Sequence, residues 1–260
     1  MRNLINTVLS KFDMELVRKS TYQSLANSAV KFRDFELAEA MGGAHLGEFL
    51  ANLEYSKSQL GQDLFVLSEL AFKRNGFFVE FGATNGIELS NTYLLESKFG
   101  WNGILAEPAH LWHSELKANR TAFVETDCVW TRTGETLLFN EVLDEVHGGE
   151  LSTIDSFSHS DAHQNARKSG SKYEVSTISL LDLLNKYDAP NEIDYLSIDT
   201  EGSEFPILDA FDFDSYNIKV ITCEHNYTPM REKIFDLLTA NGYVRKYSEK
   251  SRFDDWYVRR

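Results

Sequence analysis

Residues 77–99 contain a strand, a glycine loop and a helix in that order, and this succession constrains the fold most. Phe77–Phe81 is a short run of apolar, aromatic and β-branched residues with one acid, which is typical of a buried strand. Gly82 and Gly86 interrupt it, and helical character follows from Glu88. Glycines let a backbone approach a ligand, and the N–H groups at a helix start face that ligand. The segment therefore predicts a nucleotide-type βα unit.

The spacing of the loop indicates which ligand it serves. Gly82 and Gly86 form Gly-x-x-x-Gly, so the dinucleotide fingerprint Gly-x-Gly-x-x-Gly is not met. Glu80, inside the strand, argues against a diphosphate and favours a ligand that carries an amine or a positive charge. A tight βα turn without a ligand is the alternative interpretation of the loop alone.

Two acids at later strand ends strengthen the ligand-binding interpretation. Glu107 follows Gly86 by 21 residues, the spacing at which an acid in a βαβ unit reaches a ribose. Pro108 then begins the next helix, where a missing N–H is harmless. Asp127 ends a third predicted strand and is placed to accept a hydrogen bond from an adenine amino group. A water-facing loop position is the alternative for Asp127.

A second polar group follows two further predicted strands, at 193–199 and 218–223. Because strand carboxyl ends line one crevice in a doubly wound sheet, we expect five residues to converge there. These residues are Asp199, Glu201, Glu224, His225 and Asn226. They suit a divalent cation bound by Asp199 and Glu224, or a general base at His225. Alternatively, Glu201 and Glu204 complement a helix N-terminus and His225 is hydrogen-bonded in place.

The rest of the chain completes an α/β architecture. The patterns predict a doubly wound, Rossmann-like sheet that ends in an antiparallel hairpin at 243–247 and 254–258. Residues 1–57 form a helical extension, interpreted as a lid, a dimer contact or a helix packed for stability. Residues from about 144 to 172 form a polar loop that helps to select substrate. The loop carries His159 and His163, four residues apart, which are a weak metal signal.

The composition excludes several classes of function. The chain has 26 Lys and Arg against 40 Asp and Glu, a net charge of −14, which argues against nucleic-acid binding. Cys128 and Cys223 are far apart and form no metal-type pair, which fits a reducing compartment. Because apolar runs are too short for a membrane span and the N-terminus lacks a signal-peptide core, we expect a cytoplasmic protein.

Several motifs in one order make the chain resemble the FkbM family of S-adenosylmethionine-dependent methyltransferases. The resemblance runs from about Ser58 to Val258. It depends on SQLGQD, GFFVEFGATNGIELSNTYLLE, GWNGILAEP, TISLLDLL, YLSIDTEGSEFPIL, VITCEHN, LLTANGY and DDWYV. The N-terminal extension and the polar loop lie outside the clear match, and we expect them to determine the acceptor.

The resemblance implies the fold, the cofactor and the reaction. Family members are similar in methylating oxygen, often a hydroxyl of a sugar or a small molecule. The implied cofactor-binding residues are Glu80, Gly82, Ala83, Asn85, Gly86, Glu107, Pro108, Asp127, Cys128 and Asp199. The candidate catalytic residues are His225, Asp199 and Glu201. The candidate ligands for Mg²⁺ are Asp199, Glu224 and His225, with His225 as base or third ligand. A homodimer through the N-terminal helices is also predicted.

Two alternatives remain from the sequence. The first is a non-catalytic module with a methyltransferase-like fold that binds S-adenosylmethionine or a partner. The intact Glu80, Glu107 and Asp199 weigh against it. The second is a dinucleotide-dependent dehydrogenase, which the Gly-x-x-x-Gly spacing and the terminal hairpin disfavour.

Overall fold

The structure is a computed structural model that describes residues 19–143 and 149–260. The predicted helix within residues 1–18 lies outside this range, as do residues 144–148 of the predicted polar loop. The chain divides into two units, Met1–Leu53 and Glu54–Arg260. In the first unit, α1 (Lys19–Met41) and α2 (Leu46–Asn52) contact each other. Its function as a lid or a dimer contact stays a prediction.

The second unit alternates strands and helices. Its helices are α3 (Gln62–Glu69), α4 (Tyr93–Phe99), α5 (His113–Asn119), α6 (Leu180–Lys186), α7 (Glu204–Asp209) and α8 (Met230–Ala240). Its strands are β1 (Phe77–Phe81), β2 (Asn102–Ala106), β3 (Phe123–Glu125), β4 (Cys128–Trp130), β5 (Thr136–Glu141), β6 (Thr153–Ile154), β7 (Ser171–Ser179), β8 (Glu192–Ile198), β9 (Asn217–Glu224), β10 (Tyr243–Lys246) and β11 (Asp254–Arg259).

The central sheet has the order β10-β11-β9-β8-β1-β2-β3 among the described residues. β8, β9, β1, β2 and β3 are parallel, whereas β11 pairs antiparallel with both β9 and β10. β1, β8 and β9 are apolar and buried because helices cover both faces of a parallel sheet. The predicted α/β sheet with a C-terminal antiparallel hairpin is confirmed.

A second sheet, of order β4-β7-β5-β6, was not predicted from the sequence. Its strand β7 begins at Ser171, inside the predicted polar loop, and continues to Ser179. The segment SKYEVSTIS is polar enough to resemble a loop, but it pairs antiparallel with β5 and buries Val175 and Ile178. Pairing with a distant strand therefore overrides the local pattern.

The helix after the glycine loop begins at Tyr93 instead of Glu88. The reason is tertiary: Ser90, Asn91 and Thr92 donate hydrogen bonds to the carboxylate of Glu80. A segment that satisfies a buried carboxylate in this way stays out of the helix. The loop that follows β1 is consequently longer than the sequence indicates.

Candidate functional site

A cavity of about 380 Å³ opens where four parallel strands of the central sheet end. Phe81 of β1 and Ala106 of β2 line one side of it, while Asp199 after β8 and Glu224 of β9 line the other. Ligands of open α/β sheets bind at the carboxyl ends of the strands. The cavity is therefore the candidate active site.

Gly82 brings the glycine loop into contact with the end of β8. Its φ of +74° lies in the left-handed region, and a Cβ at this position would collide with the carbonyl oxygen of Asp199. Only glycine tolerates both conditions. Gly86, with φ of +82°, packs in the same way against Leu116 and Arg120. The two glycines therefore let the loop pass close to β8 and to the residues at the end of α5.

The carboxylate of Glu80 holds this loop in place through hydrogen bonds. It is 2% exposed, and its oxygens accept hydrogen bonds from Ser90 Oγ at 3.0 Å, Asn91 N at 2.6 Å and Thr92 Oγ1 at 2.5 Å. Arg120 lies 3.7 Å away. Burial raises the pKa of Glu80, and the charge of Arg120 opposes that shift. The carboxylate lines the cavity, but the loop itself already occupies its oxygens.

Glu107 links the end of β2 to the glycine loop. Its Oε2 accepts a hydrogen bond from Thr84 N and its Oε1 one from Ala109 N, both at 2.8 Å. Burial raises the pKa of Glu107 from 4.5 to about 7, although both hydrogen bonds lower it. The carboxyl is therefore held in position at the cavity wall and titrates near neutral pH.

The predicted cofactor-binding residues separate into two groups. Those that line the cavity are Glu80, Gly82, Glu107, Pro108, Cys128 and Asp199. Those that do not are Ala83, Asn85, Gly86 and Asp127. Asn85 instead shapes the loop, since its Oδ1 accepts hydrogen bonds from the backbone of Ile87 and Glu88. The backbone N–H of Asp127 donates to Glu125.

The SQLGQD segment also contributes to the cavity. Gln59 and Gln62 line it, and Gln62 Nε2 donates a 2.9 Å hydrogen bond to Asp254 at the start of β11. Asp63 is buried and accepts hydrogen bonds from Ser56 and Ser58. The segment thus connects α3 to the central sheet at the site.

Three carboxylates meet on the β8–β9 side of the cavity. One oxygen each of Asp199, Glu201 and Glu224 lies within 4.8 Å of the others. Burial and the nearby charge of Glu204 raise the pKa of Asp199 to about 7. Burial and the charge of Asp199 likewise raise the pKa values of Glu201 and Glu224. Such a cluster is able to accept a proton or to bind a cation.

Glu204 stabilises the turn that carries this cluster. Its Oε1 accepts hydrogen bonds from Thr200 N at 2.9 Å and Gly202 N at 3.0 Å. The same oxygen accepts from the Thr200 hydroxyl. Glu201 in between has φ of +58°, a left-handed conformation that is strained outside glycine. The turn is therefore held in an uncommon conformation by its own side chains.

The family of the chain follows from a sequence comparison. Residues 80–245 match the methyltransferase FkbM domain, which is more than half of the chain. The chain belongs to the FkbM methyltransferase family. The family predicted from the motifs is confirmed, and the family implies S-adenosylmethionine as the cofactor. The match also argues against the dinucleotide-dependent dehydrogenase.

Solved structures similar to this FkbM methyltransferase share little sequence with it. A precorrin-6y C5,15-methyltransferase from Geobacter metallireducens is 12% identical and aligns over 75% of this chain and 85% of its own, with a TM-score of 0.35. A TehB-like SAM-dependent methyltransferase from Corynebacterium glutamicum is 8% identical over 84% and 98%, with a TM-score of 0.39. A fibrillarin/Nop5p complex is 10% identical over 78% and 81%, with a TM-score of 0.35. A search of curated proteins found no match.

The cavity of the FkbM domain fits its implied cofactor. Gly82 lines the cavity where the loop packs closely against the end of β8, and Glu107 presents a carboxylate at the end of β2. S-adenosylmethionine carries a sulfonium and an ammonium group. Neither Lys nor Arg lines the cavity within the described residues, whereas several carboxylates do. The electrostatics therefore favour a positively charged ligand.

Arg167 is a residue of the site that the sequence did not indicate. It is 1% exposed, and its Nη2 donates to Glu201 Oε2 at 2.7 Å while Nη1 donates to Asp161 at 2.9 Å. Its Nε donates to the carbonyl oxygen of Leu151. Asp161, Leu151 and Glu201 lie 6, 16 and 34 residues away from Arg167 in sequence. No local sequence pattern therefore marks Arg167. It connects the segment before β7 to the carboxylate cluster.

His225 lies apart from the carboxylates that the sequence grouped with it. Its Nδ1 accepts a hydrogen bond from Tyr227 N, its Nε2 is 3.9 Å from Asp255, and it does not line the cavity. Consecutive side chains at a strand end point to opposite faces. Glu224 faces the cavity, so His225 lies beside Asp255, which Arg231 of α8 also contacts. The structure brings Glu201, not His225, next to Asp199 and Glu224.

Among the helices of the described residues, none combines the length and the apolar character that crossing a membrane requires.

Proposed function

We propose that the protein is an O-methyltransferase that transfers the methyl group of S-adenosylmethionine to a hydroxyl of a small molecule or a carbohydrate. One observation carries the proposal: the carboxylate cluster of Asp199, Glu201 and Glu224 lines the same cavity as Gly82 and Glu107. A hydroxyl must lose its proton to become a good nucleophile. A cluster beside the methyl donor supports that chemistry.

On the cofactor side, the chain's own residues bind and orient. Glu107 would accept hydrogen bonds from the ribose hydroxyls, and the backbone around Gly82 and Thr84 would hold the amino-acid end. Glu80 acts through the loop that it holds, because Ser90, Asn91 and Thr92 occupy its oxygens. When bound, S-adenosylmethionine supplies an electrophilic methyl group on sulfur. Holding donor and acceptor in line contributes most of the rate.

On the acceptor side, the carboxylate cluster promotes removal of the hydroxyl proton. The carboxylates either take the proton directly or hold a cation that lowers the pKa of the hydroxyl. The Mg²⁺ predicted from the sequence stays a prediction. The three clustered carboxylates support it, whereas His225 lies outside the cluster and is not supported as a ligand. General-base catalysis by His225 has no support from its position, which is outside the cavity lining.

The segment before β7 selects the acceptor in this proposal. Gly149, Glu150, Leu151 and Ser152 line the cavity, as does His163. Phe139 and Ile154 add apolar surface to the same wall. Backbone and hydroxyl groups, together with Glu150 and His163, offer hydrogen bonds beside this apolar surface, which suits a neutral polyhydroxyl compound. The lining carboxylates disfavour a highly anionic acceptor.

Calorimetric titration with S-adenosylmethionine and S-adenosylhomocysteine is the first test, with Glu107→Ala as the control variant. We expect one binding site per chain that the variant weakens strongly. Methyl transfer from labelled cofactor to a panel of neutral sugars and hydroxylated small molecules then identifies the acceptor class. Methylation of an amine or a thiol in preference to every hydroxyl would refute the O-methyltransferase proposal.

A non-catalytic module that binds S-adenosylmethionine is the second candidate. This candidate is favoured by the position of His225, the base predicted from the sequence, which does not line the cavity. Cofactor binding does not separate the candidates, because both bind the cofactor. Turnover does: release of S-adenosylhomocysteine that depends on an added acceptor supports the enzyme, whereas binding without turnover across the panel supports the module.

Homodimerisation through the N-terminal helices and a cytoplasmic location also stay proposals. In the first unit, Phe32 and Phe35 of α1 and Leu46 and Leu50 of α2 are exposed large apolar residues. Exposed apolar residues at helical spacing are typical of helix–helix contacts between copies. A mass measurement by light scattering tests the dimer directly. A monomer mass at high concentration would contradict it.

A further inference from the structure

The oxygens of Asp199, Glu201 and Glu224 form a compact cluster at the cavity. The three ligand atoms lie within 4.8 Å of one another, and Glu201 and Glu224 are 8% and 7% exposed. Like charges so close together and so far from water repel strongly. Among the described residues, the cation that contacts the cluster is Arg167, which is shared with Asp161.

An independent observation concerns Glu224. Its Oε2 is inaccessible to solvent and has no hydrogen-bond partner among the described residues, although its residue lines the cavity. A buried carboxylate oxygen without a donor is costly, and such groups are rare unless a ligand, an ion or water completes them. The unpartnered oxygen therefore points to a ligand beside the cluster.

The arrangement around Glu201 leaves one of its oxygens available. Oε2 accepts hydrogen bonds from Arg167 at 2.7 Å and from Asn226 at 3.3 Å. Among the described residues, the printed donors to Glu201 reach Oε2 and not Oε1, and Glu201 belongs to the three-carboxylate group. Glu201 is thus oriented by two donors that both bind one oxygen, which leaves its other oxygen free of those hydrogen bonds.

We propose that Asp199, Glu201 and Glu224 bind one divalent cation of the Mg²⁺ type, and that Arg167 is the positioning residue that holds Glu201 for it. Three carboxylate oxygens without nitrogen or sulfur suit Mg²⁺ or Mn²⁺. Three protein ligands leave coordination positions of the cation open. This part of the inference rests on the proposed function: the acceptor is an uncharged compound whose hydroxyl oxygen coordinates the cation. A bound cation lowers the pKa of such a hydroxyl.

The test uses Mn²⁺ as the probe and the full-length protein freed of metals by a chelator. Electron paramagnetic resonance counts bound Mn²⁺ with and without S-adenosylhomocysteine, and Mg²⁺ competes in a second titration. We expect one Mn²⁺ per chain, displaced by Mg²⁺. Glu224→Gln and Glu201→Gln, which keep the side-chain shape, are expected to weaken binding more than about tenfold. Glu192→Gln changes an exposed carboxylate outside the cavity lining and leaves binding unchanged.

Arg167 gives a second, discriminating readout. Removing a positive charge beside the site would tighten cation binding if Arg167 acted only through its charge. A positioning role predicts the opposite: Arg167→Met weakens Mn²⁺ binding about tenfold, and Arg167→Lys restores part of it. Tighter binding in Arg167→Met would overturn the positioning role. Thermal melting of each variant, compared with wild type, confirms that the folded protein is being measured.

The outcomes separate this inference from the proposed function. Wild-type protein that binds S-adenosylhomocysteine but no Mn²⁺, or that binds Mn²⁺ equally in Glu224→Gln, overturns the cation site and leaves the methyltransferase with a carboxylate base. Protein that binds Mn²⁺ at the cluster but no S-adenosylhomocysteine refutes the proposed function and retains the cation site.

Discussion

Glu107 connects cofactor affinity to pH at the scale of a single residue. Its folded-state pKa is about 7, raised from 4.5 by burial. Ribose hydroxyls donate to the ionised carboxylate, so binding favours the deprotonated form. We predict that affinity for S-adenosylhomocysteine rises with pH through about 7 and falls by up to about tenfold per pH unit below it. Calorimetry between pH 5.5 and 8.5 measures this dependence.

The matched variant is Glu107→Gln, which cannot ionise. We expect it to bind more weakly at pH 8 and to lose the step near pH 7. The stability of the fold depends on pH in the opposite direction from cofactor affinity. Because the pKa of Glu107 in the folded state is above 4.5, its contribution to the free energy of unfolding is present below pH 4.5 and is lost as the pH rises through about 7. An unchanged pH step in Glu107→Gln would contradict the assignment.

Gly82 is constrained by both conformation and space. Gly82→Ala places a Cβ against the carbonyl of Asp199 at a φ of +74°. We predict that the variant loses about 1–3 kcal/mol of unfolding free energy and most of its S-adenosylhomocysteine binding. Gly134 is a matched control, since its φ is +81° but no atom lies within 4 Å of a Cβ there. Gly134→Ala should cost about 1 kcal/mol with normal binding. Denaturant unfolding and calorimetry compare the two.

At the scale of elements, Glu80 joins β1 to the loop before α4 and to Arg120 after α5. Glu80→Gln leaves an amide where three donors need acceptors and removes the charge beside buried Arg120. We predict a loss of about 2 kcal/mol or more in the free energy of unfolding, measured with urea. Glu192→Gln at the exposed pair with Lys219 is the control and should change less than about 1 kcal/mol. Equal losses would contradict a structural function of Glu80.

At the scale of the whole molecule, the second unit contains every described residue of the cavity. The lining begins at Gln59 and ends at Phe253, after the boundary at Leu53. We predict that a chain spanning Glu54–Arg260 folds and binds S-adenosylhomocysteine with unchanged affinity. Calorimetry of the shortened and full-length proteins compares them. Lost cofactor affinity in a folded shortened chain would support the lid interpretation of the N-terminal helices.

The sequence alone determined those features that local pattern and motif order encode. The apolar run Phe77–Phe81, the loop glycines and the acids Glu107 and Asp199 at strand ends were sufficient for the α/β sheet and the family. Their information is local because strand burial, left-handed glycines and strand-end positions depend on neighbouring residues. The antiparallel hairpin of β10 and β11 also follows from one short connection.

Only the tertiary structure decided which side chains meet at the cavity. It separated His225 from Glu224 by strand-end geometry, and it joined Arg167 to Glu201 across 34 residues. The tertiary structure also placed the start of α4 at Tyr93, because residues 90–92 bind Glu80 and stay out of the helix. It paired β7 with β5 as well. Each result depends on contacts between residues distant in sequence, where burial and hydrogen bonding override local propensity.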